Sequence, residues 1–261
     1  MKINKILIML LLIAPTLGQA GALFGNDMAG DRKLPRTFGI GIDYFRMDQP
    51  YQFDSLSFFP PVLPITDPNI IGVNSDVHNV DVKFDVWVLP FLNVFAIYGD
   101  IGGETRVDLS DVGLPVPPIT IDYDGDVFGG GLTLAVGGDR WFASVTGTFT
   151  DTDLSGDFNS SVKATTVQPR IGIRYGDNTE FWIGGYYIDA EESHSGMIDL
   201  DLGPLLGGVI PLDFAVKLSQ KDDFNLSAGT HMMLTDAWEA TVEVGGGDRS
   251  TVLANLTYRF R

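Results

Sequence analysis

The stretch Val80-Asp81-Val82-Lys83-Phe84-Asp85-Val86-Trp87-Val88 alternates between two kinds of side chain at every step. Its even-numbered positions are valine or phenylalanine, and its odd positions carry Asp81, Lys83, Asp85 and Trp87. Because successive side chains of a β-strand point to opposite faces, this period of two predicts a strand with one apolar and one mostly polar face. A soluble sheet also alternates, so the rest of the chain must show what the apolar face meets.

The same alternation recurs along the chain in stretches of roughly ten residues, and helical periodicity is nearly absent. Together with the first stretch, these segments predict an all-β protein of about ten antiparallel strands. An extra hairpin, formed by residues 197–202 and 209–219, would raise the number to twelve. The other predicted strands are 37–47, 93–104, 127–136, 141–150, 167–175, 181–190, 224–234, 238–245 and 251–260.

The connections between the predicted strands alternate between tight and long. The tight ones are 89–92, 137–140, 176–178 and 235–237, and the long ones are 48–76, 105–122, 151–161 and 191–223. Short turns on one rim and long loops on the other are typical of transmembrane up-and-down β-barrels, with the short turns in the periplasm. Aromatic residues beside the short turns predict an interfacial girdle there: Trp87, Phe91, Trp141, Tyr175, Phe181, Trp182 and Trp238.

Composition excludes several classes of function. The chain has 17 Lys and Arg against 34 Asp and Glu, a formal net charge of −17. Nucleic acid is therefore not an expected partner, because phosphate binding needs clustered basic residues. The absence of cysteine excludes disulfides, thiolate metal sites and a cysteine nucleophile.

The N-terminus has the features of a secretory signal peptide. Lys2 and Lys5 precede the apolar run 6–13, and small residues follow at Ala20 and Ala22. The apolar run is well short of the roughly 20 residues that a membrane-spanning helix needs. The sequence predicts a signal peptide over residues 1–22, with cleavage after Ala20 or Ala22, and a barrel over residues 23–261.

The C-terminal stretch Leu256-Thr257-Tyr258-Arg259-Phe260 has an apolar or aromatic residue at every second position. It resembles the closing strand of Gram-negative outer-membrane β-barrels, although this chain ends on Arg261 and not on the aromatic residue. The resemblance implies an outer-membrane location, contact with the lipid bilayer and lipopolysaccharide, and an assembly signal read by the barrel-assembly machinery. The residues of that signal would be Leu256, Tyr258 and Phe260.

The polar faces of the strands would line the barrel lumen. Charges at such positions must be paired or hydrated, so the lumen would be either an ion-paired plug or a narrow selective channel. The predicted lumen-lining charged residues are Asp81, Lys83, Asp85, Asp100, Glu104, Arg170, Arg174, Glu239, Glu243 and Arg259.

Three of the long connections contain proline-bearing apolar stretches. One interpretation is that they pack together as a small external core or extend the strands above the membrane. The other is that they form a vestibule for an apolar ligand or dip into the outer leaflet. Their marker residues are Phe58, Phe59, Leu63, Leu114, Val116, Leu205 and Leu206.

Catalytic and metal-binding patterns are sparse. Ser227 and His231 share a strand face but lie about 13 Å apart along it, too far for a direct hydrogen bond. His194 lies in the predicted long connection 191–223, with no scaffold to orient it. We therefore expect no catalytic set, no metal site and no cofactor beyond divalent cations at the acidic external surface. The leading hypothesis is a non-enzymatic narrow channel or a barrel that binds small or apolar ligands. A structural or adhesive barrel and a lipid or peptide hydrolase are the alternatives.

Overall fold

The computed structural model describes residues 21–30, 34–59, 67–108, 110, 118–155, 158–201 and 208–261. Residues 1–20 of the expected signal peptide lie outside this part of the chain. So do five of the apolar marker residues, which are Leu63, Leu114, Val116, Leu205 and Leu206.

Eleven antiparallel strands follow one another, and β11 pairs back onto β1 to close the sheet into a barrel. Two short 3-10 helices, Asn26–Ala29 and Pro68–Ile70, lie outside the sheet. No helix among the described residues has the length and apolar character needed to cross a membrane. The strands are β1 Phe38–Phe59, β2 Gly72–Leu89, β3 Leu92–Asp108, β4 Ile119–Gly137, β5 Trp141–Ser155, β6 Asn159–Tyr175, β7 Thr179–Asp201, β8 Val209–Gln220, β9 Phe224–Met233, β10 Trp238–Gly246 and β11 Ser250–Phe260.

Strands β8 and β9 lie one after the other along the same edge of β7. The outer part of β7 pairs with β8, and its first residues pair with β9. The barrel therefore has ten strands at the rim of short turns, as the sequence predicts. It has eight at the opposite, outer rim, where β8 pairs with both β7 and β1.

The change from ten strands to eight occurs where the β10–β11 hairpin ends. Residues 38–48 of β1 pair with β11, whereas residues 51–59 pair with β8. The hairpin is thus a wedge that occupies only the half of the wall near the short turns. Because fewer strands make a narrower barrel, the outer half is also the tighter one.

All four predicted long connections are too long, because strands extend into each of them; within 151–161, for example, β5 runs to Ser155 and β6 begins at Asn159. Residues 191–223 are not one loop, since β7 continues to Asp201 and β8 returns from Val209. The alternative hairpin is right in placing a strand over 209–219, which is β8, but residues 197–201 are the end of β7 and not a separate strand. The expected loop 48–76 contains the end of β1 and the beginning of β2. These segments also alternate, but in the opposite sense to the first strand: Phe53 and Phe214 point inward, and polar residues such as Lys217 point outward.

The outward face carries an apolar band next to the short-turn rim. Ile42, Val82 and Tyr98 are direct neighbours across β1, β2 and β3, and each is more than half exposed. On β2 the band runs over residues 80–88, which at about 3.3 Å per residue and a tilt of about 40° gives a height of about 23 Å. That height matches the apolar band of about 25 Å in transmembrane barrels.

Above the band the outward positions become polar. On β1 the outward series continues from Tyr44 to Arg46 and Asp48, and on β2 from Val80 to His78 and Asp76. The strands nevertheless continue well past this point, so the outer half of the barrel is an extension with a polar surface. We call this part the outer extension.

The predicted aromatic girdle is confirmed in part. Trp141, Tyr175 and Trp238 are exposed beside the short turns. Trp182, in contrast, is buried, and Trp87 lines the interior. Their parity along β7 and β2 directs these two rings inward, so neither belongs to the girdle.

Candidate functional site

The barrel encloses a lumen cavity of about 1560 Å³. It extends from the short turns, at Pro90 and Asp177, to Tyr51, Tyr123 and Glu192 near the middle of the barrel. Met28 and Ala29 of the N-terminal segment also line it at the short-turn rim.

That N-terminal segment is fixed to the rim by hydrogen bonds. The backbone amides of Leu23 and Phe24 donate to the carbonyl oxygens of Trp87 and Val88, at 2.9 and 3.0 Å. The hydroxyl of Thr37 donates to the carbonyl oxygen of Gly21 at 2.6 Å. The segment therefore narrows the mouth of the lumen without filling it.

A belt of paired charges crosses the lumen close to the short turns. Arg259 on β11 lies 2.9 Å from Asp85 on β2 and 2.7 Å from Glu239 on β10. Asn93 donates a further hydrogen bond of 2.7 Å to Asp85. His231 stands 3.5 Å from Glu239, so the belt continues onto β9. Arg259, Asp85 and Glu239 are all buried. Burial of these charges is tolerable only because each side chain faces an opposite charge.

Two more arginines extend the ionic network around the wall. Arg174 lies 2.9 Å from Glu180 and donates to the carbonyl oxygen of Gly138 at 2.5 Å. Arg170 lies 2.5 Å from Glu243, and its guanidinium stands 5.2 Å from the centre of the Trp182 ring. These positions all face the interior, as the alternation of β6 and β10 predicts.

Asp81 and Lys83 form a third group, higher on β2. Lys83 lies 3.5 Å from Asp43, the residue directly opposite Asp81 on β1. Asp81 accepts a hydrogen bond from Asn79, and Asp43 accepts one from Asn255. Asp43 and Asn255 were missed by sequence reasoning, although both lie on the polar face of their strands.

Asp100 and Glu104 do not line the lumen, and their prediction as inward charges is wrong. Asp100 pairs with the outward residue Val80 and is exposed, and Glu104 forms an exposed ion pair with Arg106. Both faces of β3 carry apolar residues, so alternation alone leaves the inward parity of this strand undetermined. The buried Asn93 marks the odd-numbered face as the inner one.

An apolar core fills the lumen of the outer extension. Its inward side chains come chiefly from β1, β2 and β8, and they include Phe53, Phe214 and Leu218. Phe58 packs against this core, whereas Phe59 points outward and is 71% exposed. The remaining members are Tyr51, Ile71, Val73 and Val216, with Leu56, Val107, Ile119, Phe158 and Ile198 packed against them.

For the described residues, this core agrees with the external-core interpretation of the apolar stretches. The void within it is only about 60 Å³ and is lined by apolar side chains. A cavity of about 150 Å³ is what a benzene-sized ligand fills in an engineered protein. Within the described part of the chain, this void is therefore too small for such a ligand.

A layer of buried polar residues separates the cavity from the apolar core. Tyr51 donates to Glu192, Glu192 lies 3.4 Å from His194, and His194 is 2.8 Å from the hydroxyl of Ser160. Burial, followed by the nearby Glu192 carboxylate, raises the pKa of Tyr51 well above its ordinary value, and it raises the pKa of Tyr123 as well. The phenol groups therefore stay protonated, and that of Tyr51 donates to Glu192.

His194 lies on strand β7 and not in a loop, contrary to the expectation from the sequence. Its partners are Ser160 and Glu192, and the sequence neighbours Ser193 and Ser195 are not among its recorded hydrogen-bond partners. Only the register of β6 and β7 brings Ser160 and His194 together. Among the described residues, no group of three or more His, Cys, Asp or Glu is arranged to hold a metal ion.

Comparisons with known proteins concern the fold. No protein-family model matches the chain, and no curated protein matches it. The chain is similar to the outer membrane protein OprG from Pseudomonas aeruginosa, at 10% identity over 86% of this chain and 97% of that one, with a TM-score of 0.45. The outer membrane protease OmpT from Escherichia coli has 10% identity over 87% and 97%, with a TM-score of 0.43. An outer membrane channel from Pseudomonas putida F1 has 10% identity over 88% and 98%, with a TM-score of 0.41.

The class of the protein rests on its own architecture. The ring is closed, every strand is antiparallel to its neighbours, and the outer face carries an apolar band of membrane height above short turns. In lipid, only a closed ring satisfies the backbone hydrogen bonds of a sheet. The chain is a membrane-spanning β-barrel of the outer-membrane type.

Proposed function

We propose that the protein is a narrow channel of a Gram-negative outer membrane, with its short-turn rim in the periplasm and its outer extension outside. The observation that carries this proposal is the lumen cavity of about 1560 Å³, which is lined by charges and ends beneath the apolar core. A barrel of purely structural role can fill a lumen of this width with side chains. The cavity instead offers small solutes a chamber reached from the periplasm.

The apolar core would act as the gate of this channel. Apolar constrictions stop ions because water leaves them, and this gate lies in the narrower eight-stranded half. Phe214 and Leu218 are buried members of this core on β8. The ion-paired belt, formed by Arg259, Asp85 and Glu239, would line the route on the periplasmic side.

We propose a non-enzymatic role, on the basis of access. Ser160, His194 and Glu192 are the nearest approach to a catalytic set, but neither Ser160 nor His194 lines the lumen cavity. Of these three residues Glu192 lines the chamber, next to Tyr51 and Tyr123 of the same buried polar layer. A nucleophile must touch its substrate, so we assign these residues to the support of the gate.

The membrane partners belong to the same proposal. The acidic outer extension would contact lipopolysaccharide, with divalent cations bridging carboxylates and phosphates. Leu256 and Tyr258 face outward on β11, and Phe260 stacks on Phe38 and Tyr258. These three residues would present the assembly signal to the barrel-assembly machinery from the lipid side.

Single-channel recording in planar bilayers tests the proposal. We expect the unmodified barrel to be closed most of the time, and Phe214→Ser with Leu218→Ser to give discrete, frequent openings because the gate then admits water. In that open background, Arg170→Ala or Arg174→Ala should change the conductance steps. The control is Phe59→Ser, which changes an outward aromatic residue of the same extension and should leave the barrel closed.

Folding of each variant is verified first by the heat-dependent shift in gel mobility that intact barrels show. Folded gate variants that remain silent would contradict the channel and favour a structural barrel. Hydrolysis of lipid or peptide by the pure protein, abolished by His194→Ala, would instead establish the enzymatic alternative.

A further inference from the structure

We propose that Asp43 and Asp81 bind a single monovalent cation in the lumen, so that the solutes of the channel are small cations. The cation-binding site stands on its own geometry, whereas the assignment of a solute class rests on the proposed channel. Both residues line the lumen cavity.

The register of β1 and β2 places these two carboxylates directly opposite each other on the inner face. Directly opposed side chains of an antiparallel pair stand about 5 Å apart, and like charges at such positions are destabilising. An arrangement of this kind calls for a positive charge between the two groups.

Asp81 is the member that lacks a charged partner. It is only 3% exposed, and its Oδ1 atom has no hydrogen-bond donor. The other oxygen, Oδ2, accepts a hydrogen bond from the neutral amide of Asn79. A buried carboxylate with a free oxygen is costly unless a cation completes its surroundings.

The surrounding charges fix the valence of the missing ion. Lys83 lies 3.5 Å from Asp43 and offsets one of the two negative charges. Asp85, the next inward residue after Lys83, is already paired with Arg259. One negative charge is left, which a monovalent ion balances and a divalent ion would exceed.

The donor atoms suit a hard cation, which prefers oxygen ligands. They are the free Oδ1 of Asp81 and the carboxylate of Asp43, whose orientation is fixed by the amide of Asn255. Gly99 on β3 leaves room for the Asp81 carboxylate itself, since a Cβ atom there would come within 2.6 Å of Asp81 Oδ1.

A direct test is to soak crystals of the barrel in a rubidium salt and to measure anomalous scattering. We expect a rubidium peak between the two carboxylates that disappears in Asp81→Asn and in Asp43→Asn. The matched control is Asp126→Asn, which removes the same charge from the outward face, and its peak should be unchanged. Asp81→Asn removes an unpaired buried charge, so it should fold at least as well as the parent.

A second measurement separates this inference from the proposed function. In the Phe214→Ser, Leu218→Ser background, the reversal potential in a potassium chloride gradient should show cation preference. Asp81→Asn should lower that preference by about an order of magnitude, because a focused charge raises the local counter-ion concentration at least that much. Absence of the rubidium peak, or its persistence in Asp81→Asn, overturns the site even if the channel conducts. A peak with silent bilayers keeps the site and contradicts the channel.

Discussion

At the scale of single residues, the buried charge of Arg259 is balanced by two carboxylates on neighbouring strands. Its guanidinium lies 2.9 Å from Asp85 and 2.7 Å from Glu239, and all three side chains are buried. Such a triad adds little net stability when it is complete, but loss of one member strongly destabilises the folded protein. The loss leaves charges in the lumen wall without compensation.

Arg259→Ala should therefore destabilise the barrel by about 3 kcal/mol or more, since it removes the arginine charge that balances two buried carboxylates. The measurement is urea-induced unfolding from lipid vesicles, followed by tryptophan fluorescence. Arg106→Ala is the matched control, because it breaks an exposed pair with Glu104 that is worth at most about 1 kcal/mol. Equal losses of stability in the two variants would contradict the role of burial.

At the scale of the element, the junction between β8 and β9 keeps the wall closed where the backbone ladder is interrupted. Gln220 is the side chain that bridges the gap. Its Oε1 atom accepts a hydrogen bond of 3.0 Å from the amide of Ala190, and its Nε2 atom donates one of 3.1 Å to the carbonyl oxygen of Ile188. A primary amide has one donor side and one acceptor side, so it can replace a peptide group in the ladder.

Gln220→Ala should open this junction, because a buried amide and a buried carbonyl group lose their partners. We expect a loss of about 1–3 kcal/mol and faster hydrogen exchange at Ile188 and Ala190. Hydrogen–deuterium exchange with mass spectrometry reads out both peptide groups. Gln52→Ala, on the exposed side of the adjoining β1, should leave the exchange unchanged. Unaltered protection in Gln220→Ala would show that water replaces the side chain at no cost.

At the scale of the whole molecule, the barrel has two halves with opposite designs. The ten-stranded half is apolar outside and charged inside, whereas the eight-stranded outer extension is polar outside and apolar inside. The first half suits lipid around it and water within it, and the second suits water around it. The boundary on β1 lies between Tyr44 and Arg46.

Spin labels on single introduced cysteines should locate this boundary, and the natural chain has no cysteine to interfere. A label at Val82→Cys should collide with oxygen dissolved in lipid, and a label at Asn74→Cys, also outward on β2, with a water-soluble nickel complex. Electron paramagnetic resonance in vesicles measures both accessibilities. A label at Val82 that prefers the nickel complex would contradict a membrane around the apolar band.

The number of strands at the base and the positions of the short turns could be read from the chain, because alternation and turn residues are local properties. The same applies to the inward parity of the predicted stretches 80–88, 167–175 and 238–245, where polar residues occupy one face only. The inward face of β3 could not be predicted from alternation, because Phe95 and Val94 are both apolar although they face opposite sides. The prediction that Asp100 faces the lumen was wrong for this reason.

The sequence by itself thus determined a β-barrel with an apolar band and a charged lumen, since hydropathy with a period of two specifies which face of a strand meets lipid. Only the tertiary structure decided that β8 replaces the β10–β11 hairpin beside β1, that Ser160 meets His194, and that Asp43 opposes Asp81. Those contacts depend on the register between distant strands. The pairing register is set by the closure of the whole ring, so it cannot be read from the local pattern of one strand.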